Sequence, residues 1–325
     1  MNQTEKTILE QFQYWHGALE LNLEPAQLEP NVAVVVIGCG TSYYLAQTIA
    51  ASMNSNGLEA IAVPGGEWNL RREQFVPTGK RVQVLALSRS GETTETVAAA
   101  ERSLEHGERV IGITCEQGSS LTRACTVCVF APTHPLEDIV MTTSASLMLL
   151  VGLALAGSRI TSAQVDLAQE LLERSRFKFD SLVAGRTHFV YLGGGALYGL
   201  ANEGALKLME MSLSFSQAYH PLEYRHGPVS LIDERSLAVI LYQADEKEES
   251  KLAQELQSKG AKVIGVGGPG DLSLDIGSLE LSIDDLALRG LIALPALQWL
   301  GERVAQSKGL DTRAPRHLTK VVVLT

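Results

Sequence analysis

Short apolar runs alternate with longer amphipathic segments along this chain. In the first half, mainly apolar runs of strand length cover residues 32–37, 60–63, 82–87 and 109–114, and helical patterns follow the first and third of them. Strands that are buried on both faces of a parallel sheet have this nearly continuous apolar character, and helices connect them. The pattern therefore predicts an α/β fold with a doubly wound parallel sheet that is flanked by helices.

The order of elements is repeated in the second half of the chain. An apolar run at residues 188–192 leads into a glycine-rich turn and a helical pattern, as the run at residues 32–37 does. The pattern around Gly195 matches the pattern around Gly40, and 155 residues separate the two glycines. Self-similarity of this kind indicates two tandem units of the same fold.

The repeat divides the chain into three predicted parts. They are an N-terminal helical segment at residues 1–30, a first unit at 31–160 and a second unit at 161–325. The first part contains one predicted helix, at residues 4–19. The boundary between the two units falls near a turn at 157–162, which a linking helix at 163–182 follows. A chain of 325 residues is long enough for two domains with full cores.

A hydroxyl-rich turn follows the apolar run at residues 82–87. Residues 88–94 read Ser-Arg-Ser-Gly-Glu-Thr-Thr and precede a helical pattern at residues 96–104. Hydroxyl groups and unpaired backbone N–H groups at a helix N-terminus favour an anion, so this turn is a candidate phosphate site. It is not a P-loop, because no Lys-Ser or Lys-Thr pair follows Gly91. The alternative is a plain strand-to-helix turn with a serine cap and Glu92 in the first helical turn.

The two halves differ at this turn. The equivalent segment of the second unit, residues 243–249, carries four acidic side chains, which would repel a phosphate. We therefore expect one phosphate site per chain, in the first unit. The glycine turn at Gly38 and Gly40 lacks the third glycine and the acidic residue of a dinucleotide fingerprint, which argues against NAD.

The charge and the termini restrict the classes of partner. The formal net charge is −10, which argues against nucleic acid or an anionic membrane as the main partner. The N-terminus is polar and lacks the apolar region of a secretory signal. The longest apolar stretch, residues 145–157, is too short to cross a bilayer and predicts a buried helix. We therefore expect a cytoplasmic protein.

Four cysteines are present, and Cys125 and Cys128 form a C-x-x-C motif in the strand-like run at residues 124–131. Metal binding or redox chemistry is one interpretation of this motif. No second Cys or His pair stands at zinc-site spacing, so buried packing is the favoured interpretation. Neither a metal nor a cofactor is expected.

The second unit carries most of the candidate acid–base groups. Glu203, Lys207 and Glu210 follow an i, i+4, i+7 spacing and share one helix face. The alternative is a solvated salt-bridge face, but the apolar residues between them leave little of the helix free for solvent. His226 lies in a loop that is rich in titratable groups and ends in Gly-Pro, which makes it a catalytic candidate. Lys320 precedes an apolar segment at 321–325, and a docked terminal strand would hold this lysine in place.

Five motifs together carry a family resemblance. They are residues 38–42, 88–93, 203–210, 224–228 and 315–320. On these residues the chain resembles the double SIS-domain (sugar isomerase) family. It is similar to the isomerase half of glucosamine-6-phosphate synthase and to the ketose/aldose-phosphate isomerase and aminosugar-phosphate deaminase branch. The resemblance extends from about residue 38 to residue 320 and implies two flavodoxin-like SIS units, the first binding phosphate and the second ending in a catalytic tail.

The resemblance also implies residue roles. Glu210 would move a proton between C1 and C2, His226 would open the sugar ring, and Lys320 would contact the open-chain sugar or form an imine with it. The implied substrate-binding residues are Gly40, Thr41, Ser42, Ser88, Arg89, Ser90, Thr93, Thr142, Ser144, Glu203 and Lys207. Among these, Ser88, Ser90 and Thr93 would bind the phosphate, Arg89 would stand at a backbone contact, and Glu203 and Lys207 would support the site. In this family the histidine often reaches the neighbouring subunit's site, so a homodimer with shared active sites is expected.

Two departures from the synthase refine the expected reaction. The chain has no N-terminal glutaminase domain and carries Asn2 rather than a cysteine at position 2, so we expect no transfer of ammonia from glutamine. The segment 137–144 also looks more like the stand-alone branch. The expected substrate is a phosphorylated sugar, a hexosamine or hexose 6-phosphate, and the expected activity is that of an isomerising deaminase. An aldose/ketose-phosphate isomerase, a fructosamine-6-phosphate deglycase, a non-catalytic sugar-phosphate sensor and a structural partner remain alternatives.

Overall fold

Two parallel sheets of five strands form the frame of the part of the chain that is described, which comprises residues 1–243, 247–276 and 285–324 of a computed structural model. The strands of the first sheet are β1 (Ala33–Gly38), β2 (Ala60–Pro64), β3 (Val82–Leu87), β4 (Arg109–Thr114) and β5 (Val127–Phe130). Those of the second sheet are β6 (His188–Gly193), β7 (Ser216–Tyr219), β8 (Ser236–Leu241), β9 (Lys262–Val266) and β10 (Leu272–Leu274).

Helices follow most of the strands. The helices are α1 (Gln3–Leu9), α2 (Phe12–Leu19), α3 (Thr41–Ser55), α4 (Gly65–Arg71), α5 (Thr94–Glu105), α6 (Ser120–Arg123), α7 (Thr143–Leu155), α8 (Ser162–Ser175), α9 (Asp180–Val183), α10 (Leu197–Ser212), α11 (Lys247–Ser258) and α12 (Leu286–Ser307). Short 3₁₀ turns lie at Glu24–Ala26, Arg72–Gln74, Glu223–Arg225 and Pro228–Leu231. The predicted α/β class with parallel sheets is confirmed.

Both sheets have the same strand order. The first runs β2-β1-β3-β4-β5 and the second runs β7-β6-β8-β9-β10, all parallel. This is the flavodoxin-like order, in which the winding direction reverses between the first and third strand of each unit. Ligands of such sheets bind outside the carboxyl ends of the strands at that reversal. In the first unit this position lies between the ends of β1 and β3.

The turns after β1 and β6 confirm the duplication at the level of backbone geometry. Gly40 and Gly195 both adopt a positive φ, at 55° and 56°. A Cβ atom on Gly38 would lie 2.6 Å from the backbone carbon of Ser42, and one on Gly193 would lie 2.5 Å from the carbonyl oxygen of Leu197. Each strand therefore approaches the helix that follows it so closely that only glycine fits.

The described residues divide into two compact units. The first unit contains residues 10–162 and the terminal residues 319–324, and the second contains residues 1–9 and the described residues of 163–318. In the first unit, helix α7 packs against α2 and α3, and the indole of Trp15 donates a hydrogen bond to Ser146 at 2.7 Å. In the second unit, the 22-residue helix α12 packs along α10.

Three predicted elements differ from the observed ones. The single helix at residues 4–19 is broken after Leu9, where the chain passes from one unit to the other and the buried side chain of Gln11 accepts a hydrogen bond from Ser146. The linking helix at residues 163–182 ends at Ser175, and the chain then turns so that Phe179 is buried.

The third difference is at the C-terminus. The described residues 321–324 form no strand, but they are docked on the first turn of α5 through hydrogen bonds that join Thr94 to Val322 and Leu324. Part of the acidic segment at residues 243–249 lies outside the described residues, namely residues 244–246.

Candidate active site

The hydroxyl-rich turn lies at the carboxyl end of β3, beside the reversal point of the first sheet. Ser88 and Ser90 are buried, and their hydroxyl groups accept hydrogen bonds within the turn, from Gly91 N at 3.1 Å and from Glu92 N at 3.2 Å respectively. Thr93 is the N-cap residue of α5, and its side chain makes no capping hydrogen bond. The hydroxyls of Ser88 and Thr93 are 3.5 Å apart. The turn therefore presents grouped hydroxyls at a helix N-terminus, where an anion is favoured.

Helix α6 supports the turn from one side. The amide of Leu121 donates a 2.8 Å hydrogen bond to the carbonyl of Gly91. The carboxylate of Glu92 accepts hydrogen bonds from the amide and the hydroxyl of Ser120 at 2.8 and 2.7 Å, and these bonds lower the pKa of Glu92. Gly91 has a φ of 64°, and a Cβ atom there would collide with the hydroxyl of Ser119. The glycine of the motif is therefore required by both conformation and space.

The turn after β1 lies at the other side of the reversal point. Gly40 is the N-cap residue of α3, and Thr41 and Ser42 form the buried first residues of that helix. Because the carboxyl ends of adjacent parallel strands share one edge of the sheet, this turn and the turn after β3 are neighbours.

The side chain of Arg89 is held by backbone carbonyls of other segments of the unit. Its guanidinium is buried and donates to the backbone carbonyls of Asp138 at 2.6 Å, Ile139 at 3.1 Å and Lys320 at 2.7 Å. It also lies 3.8 Å from the carboxylate of Glu137. The guanidinium thus forms an ion pair with a buried carboxylate. Through its hydrogen bonds, Arg89 connects the hydroxyl-rich turn to the 137–139 loop and to the C-terminal tail.

Glu137 is a buried residue that the sequence did not single out. Its Oε2 accepts hydrogen bonds from the amide and hydroxyl of Thr142 at 3.1 and 3.0 Å and from the amide of Ser144 at 2.9 Å. These donors belong to the N-terminus of α7, where a carboxylate is stabilised by the helix dipole. The hydroxyl of Ser144 is buried and has no hydrogen-bond partner among the described residues. The sequence feature that could have pointed to Glu137 is an acidic residue a few positions before an apolar helix.

Lys320 is held at the same place. Its carbonyl accepts from Arg89, and its ammonium donates to the carbonyl of Glu137 at 3.5 Å. The first unit therefore contains most of the predicted site residues, namely Gly40, Thr41, Ser42, Ser88, Arg89, Ser90, Thr93, Thr142, Ser144 and Lys320. The hydrogen bonds of Arg89 and Glu137 bring Thr142, Ser144 and Lys320 to the hydroxyl-rich turn.

The remaining predicted residues lie in the second unit, on α10 and in the loop after β7. Glu203 and Lys207 are completely buried, whereas the side chain of Glu210 is 20% exposed. The ammonium of Lys207 lies 3.7 Å from Glu203 and forms a close ion pair with Glu210. This face of α10 is therefore not a solvated salt-bridge face. The buried Lys207 instead holds the carboxylate of Glu210, which reaches solvent.

His226 follows the 3₁₀ turn at Glu223–Arg225 and is exposed. No hydrogen bond or ion pair joins its side chain to another described residue, so the structure does not bring it into the polar cluster on α10. The neighbouring Tyr224 is buried, and burial raises the pKa of its hydroxyl well above the usual range. The neighbouring Arg225 forms an ion pair with Glu255 of α11 at 3.1 Å. The loop is thus anchored on both sides of His226, while the imidazole itself is exposed.

Comparison with known protein families gives one match. The sequence model of the SIS domain matches residues 28–156 and 182–274 of this chain. The two matched segments contain the two parallel sheets, and the family is the one that the motifs suggested. None of the helices in the described ranges combines the length and the apolar character that a membrane crossing requires.

Individual relatives differ in how much of their length is matched. The chain is 29% identical over 329 residues to a glutamine–fructose-6-phosphate aminotransferase (isomerizing) of Caldanaerobacter subterraneus subsp. tengcongensis, which covers 94% of this chain and 54% of that protein. The chain thus spans about half the length of the curated relatives that it matches.

Two solved structures are similar along their whole length. A glucosamine-6-phosphate deaminase from Thermotoga maritima is 31% identical, with a TM-score of 0.86 and coverage of 99% of this chain and 100% of that one. A tagatose-6-phosphate ketose/aldose isomerase from Escherichia coli is 23% identical, with a TM-score of 0.78 and coverage of 95% and 93%, and shows a common fold.

Proposed function

The chain belongs to the SIS domain family, and we propose that it is an enzyme that opens the ring of a hexosamine or hexose 6-phosphate and transfers a proton between C1 and C2. In its specific form, the proposal is an isomerising deaminase of the glucosamine-6-phosphate deaminase kind. Such an enzyme takes up water, releases ammonia and leaves a ketose phosphate. The observation that carries this form is the 31% identity to the Thermotoga maritima deaminase, over 99% of this chain and 100% of that one.

The first step of the proposed mechanism is binding of the phosphate at the hydroxyl-rich turn. Ser88, Ser90 and Thr93 supply hydroxyl groups, and the N-terminus of α5 supplies backbone N–H groups and the positive end of its dipole. Arg89 does not donate to the phosphate in this scheme, because its guanidinium is occupied by three backbone carbonyls. The phosphate contributes binding energy that is remote from the reacting carbons and positions them.

The second step is acid–base chemistry at the sugar. His226 would transfer the proton that opens the ring, because histidine is the side chain that most often serves as a general acid or base. Glu210 would then move a proton between C1 and C2, and its ion pair with the adjacent ammonium of Lys207 would hold this carboxylate in place. Each such acid or base contributes a rate factor of roughly 10²–10⁴.

Lys320 is assigned to the open-chain sugar. Its ammonium would stabilise negative charge that develops on the carbonyl oxygen, or it would form an imine with the carbonyl carbon and release water. The support for a defined position of this lysine is its double attachment, through its carbonyl to Arg89 and through its ammonium to the carbonyl of Glu137.

Ammonia release distinguishes the deaminase from the alternatives. An aldose/ketose-phosphate isomerase would form a ketose from glucose 6-phosphate without ammonia, and a deglycase would cleave a fructosamine 6-phosphate. A non-catalytic sensor would bind the phosphosugar without converting it. Glucosamine 6-phosphate, glucose 6-phosphate and fructosamine 6-phosphate are therefore each supplied to the purified full chain, and ammonium and ketose phosphate are measured separately.

A matched pair of variants makes this test specific. We expect glucosamine 6-phosphate to yield ammonium with the wild-type chain and with Glu170→Gln, an exposed carboxylate on α8, and to yield none with Glu210→Gln. Turnover that persists in Glu210→Gln would remove Glu210 from its role. Binding of glucosamine 6-phosphate without any turnover by the wild-type chain would favour the sensor.

We also propose that the enzyme is a homodimer in which His226 serves the site of the neighbouring subunit. Apolar side chains around this loop are exposed, with Phe215 at 89%, Leu231 at 58% and Leu222 at 52%. Large exposed apolar side chains near a functional loop favour an interface, and a second copy would cover them symmetrically. The exposed imidazole of His226 would lie at the same surface.

A mixing experiment tests the shared site. Inactive Glu210→Gln and His226→Ala chains are unfolded, mixed and refolded together, and their mass in solution is measured by light scattering. Recovery of activity in the mixture supports the proposal, since one site of each mixed dimer then carries both intact groups. A dimer whose mixture stays inactive would place His226 in its own chain's site, and a monomer would remove the shared site altogether.

A further inference from the structure

The C-x-x-C motif lies at the edge of the first sheet. Cys128 is on the edge strand β5, in register with Gly112 on β4, and Cys125 is in the bend that connects α6 to β5. Sequence spacing alone favoured buried packing for both cysteines. In the structure both cysteines are half-buried, and Cys125 packs against the apolar core of the first unit.

The two sulfur atoms meet above Gly112. A Cβ atom on this glycine would lie 2.7 Å from Sγ of Cys125 and 2.8 Å from Sγ of Cys128. The missing side chain thus leaves a space that both thiols occupy, and they form a hydrogen bond with each other. The bend before β5 therefore places two cysteines in mutual contact.

The hydrogen bond makes the two thiols unequal. Because the thiol of Cys125 donates to the sulfur of Cys128, the pKa of Cys128 is lowered, and the pKa of Cys125 is raised far above its usual range. Thiolate is the reactive form of cysteine, so Cys128 is the nucleophile of the pair and Cys125 is placed to resolve what forms on it. In contrast, burial raises the pKa of both other cysteines, Cys39 and Cys115.

We propose that Cys125 and Cys128 are a redox-active dithiol that hydrogen peroxide converts to an intrachain disulfide and that a thiol reductant restores. The thiolate of Cys128 attacks one oxygen of the peroxide, the O–O bond breaks, and a sulfenic acid and hydroxide form. Sγ of Cys125 then attacks Sγ of Cys128, and the sulfenic oxygen leaves as water with the remaining proton. In total, two thiols and one peroxide give one disulfide and two waters.

The dithiol is connected to the hydroxyl-rich turn through α6. This helix ends two residues before Cys125, and its first residues, Ser120 and Leu121, hold Glu92 and Gly91. Closing the disulfide requires the sulfurs to move from hydrogen-bond contact to bonding distance, which draws the bend toward β5. We expect α6 to move with the bend and its hydrogen bonds to the turn to open more often.

Mass spectrometry tests the disulfide without any reference to activity. The full chain is treated with hydrogen peroxide, alkylated and digested with trypsin, which releases Cys125 and Cys128 on the single peptide 124–159. We expect this peptide to lose two hydrogens and to resist alkylation at both sulfurs, and to recover both thiols after dithiothreitol. A Cys39→Ala and Cys115→Ala double variant should behave in the same way.

Other oxidation products overturn the proposal. They are a sulfinic acid on Cys128, a disulfide to Cys39 or Cys115, a disulfide between chains, or two thiols that remain open to alkylation. Because these products are read on the wild-type chain, the result does not depend on whether Cys125→Ser or Cys128→Ser folds.

Hydrogen exchange tests the connection to the turn. We expect oxidation to increase amide exchange in residues 119–123 by at least several-fold, while exchange in α3, on the same unit, stays constant. The Cys125→Ser chain under the same peroxide treatment is the control and should show no increase. Unchanged exchange in residues 119–123 of the disulfide form would overturn the connection and leave a redox site with no effect on the turn.

Discussion

Arg89 donates a 2.7 Å hydrogen bond to the backbone carbonyl of Lys320, 231 residues further along the chain. The same guanidinium holds the carbonyls of Asp138 and Ile139 and lies against Glu137. The C-terminal tail is therefore attached to the hydroxyl-rich turn by a side chain that belongs to that turn. The arginine of the motif acts on Lys320 through its backbone carbonyl.

The first prediction concerns this arginine. Arg89→Met removes the hydrogen bonds to three carbonyls and leaves Glu137 without its cationic neighbour, which costs roughly 3 kcal/mol in the free energy of unfolding. Misplacement of Lys320 should also lower kcat about 10²-fold. Urea unfolding and steady-state kinetics measure both effects. The control is Arg123→Met, an exposed arginine of the same unit that bonds Gly118 and Ser120. An unchanged kcat in Arg89→Met would contradict the role of Arg89 in placing Lys320.

Two central strands of the first sheet were predicted to the residue. Val82–Leu87 and Arg109–Thr114 occupy the predicted positions, because central strands of a parallel sheet need a continuous apolar run. The central strand β8 and the edge strands β7 and β10 were not predicted. Ser216–Tyr219 is short and mostly polar, and its conformation depends on pairing with β6 rather than on any local pattern.

In the candidate site, too, features of the local sequence were predicted and contacts between distant segments were not. The hydroxyl-rich turn was predictable because a local motif, from Ser88 to the start of α5, contains all of its parts. The attachment of Lys320 was not, because it depends on a hydrogen bond between distant segments. The contact between Cys125 and Cys128 was also missed, since it requires the space above Gly112 on a neighbouring strand, which spacing does not reveal.

The second prediction separates strain from collision at Gly91. Gly91→Ala and Gly118→Ala both force alanine into a left-handed conformation, at φ values of 64° and 71°. Only Gly91 has a neighbour in the way, the hydroxyl of Ser119, whereas nothing lies within 4 Å of a Cβ atom on Gly118. We expect a loss of about 1–2 kcal/mol in Gly118→Ala and an additional 1–3 kcal/mol in Gly91→Ala, with a raised KM in the latter alone. Equal unfolding free energies in the two variants would contradict this account.

The third prediction concerns the phosphate hydroxyls. Ser88→Ala combined with Thr93→Ala removes two side-chain donors but leaves the helix N-terminus intact. Hydrogen bonds to a charged group contribute about 1.5–3 kcal/mol each, so KM for the phosphosugar should rise at least 10-fold while kcat changes little. Ser55→Ala, at the exposed C-terminal end of α3, serves as the control. A fall in kcat at constant KM would assign these hydroxyls to the chemical step instead.

The fourth prediction concerns the buried lysine of α10. Lys207→Met leaves Glu203 in the interior without its lysine partner and should destabilise the chain by about 3 kcal/mol. A second substitution, Glu203→Gln, should restore part of this stability, because the buried negative charge is then removed. Activity should stay low in the double variant, since Glu210 has still lost its ion pair. If the double variant recovers turnover together with stability, Lys207 has a purely structural role.

The last prediction is a pH dependence of stability at His188. Its Nδ1 lies 2.9 Å from the hydroxyl of Ser236, its Nε2 is buried without a hydrogen-bond partner among the described residues, and burial lowers its pKa from the ordinary 6.5. The folded chain therefore takes up a proton on this imidazole only at a lower pH than the unfolded chain, whose imidazole titrates near the ordinary 6.5. Its contribution to stability is complete above that pH and is lost as the pH falls through the folded-state pKa. Because the ring is only half-buried, the difference should stay below about 1 kcal/mol.

Unfolding free energies between pH 7.5 and pH 5 should fall less steeply in His188→Asn than in the wild-type chain and in His106→Asn, an exposed histidine. Identical slopes in all three chains would contradict a lowered pKa of the histidine at the start of β6.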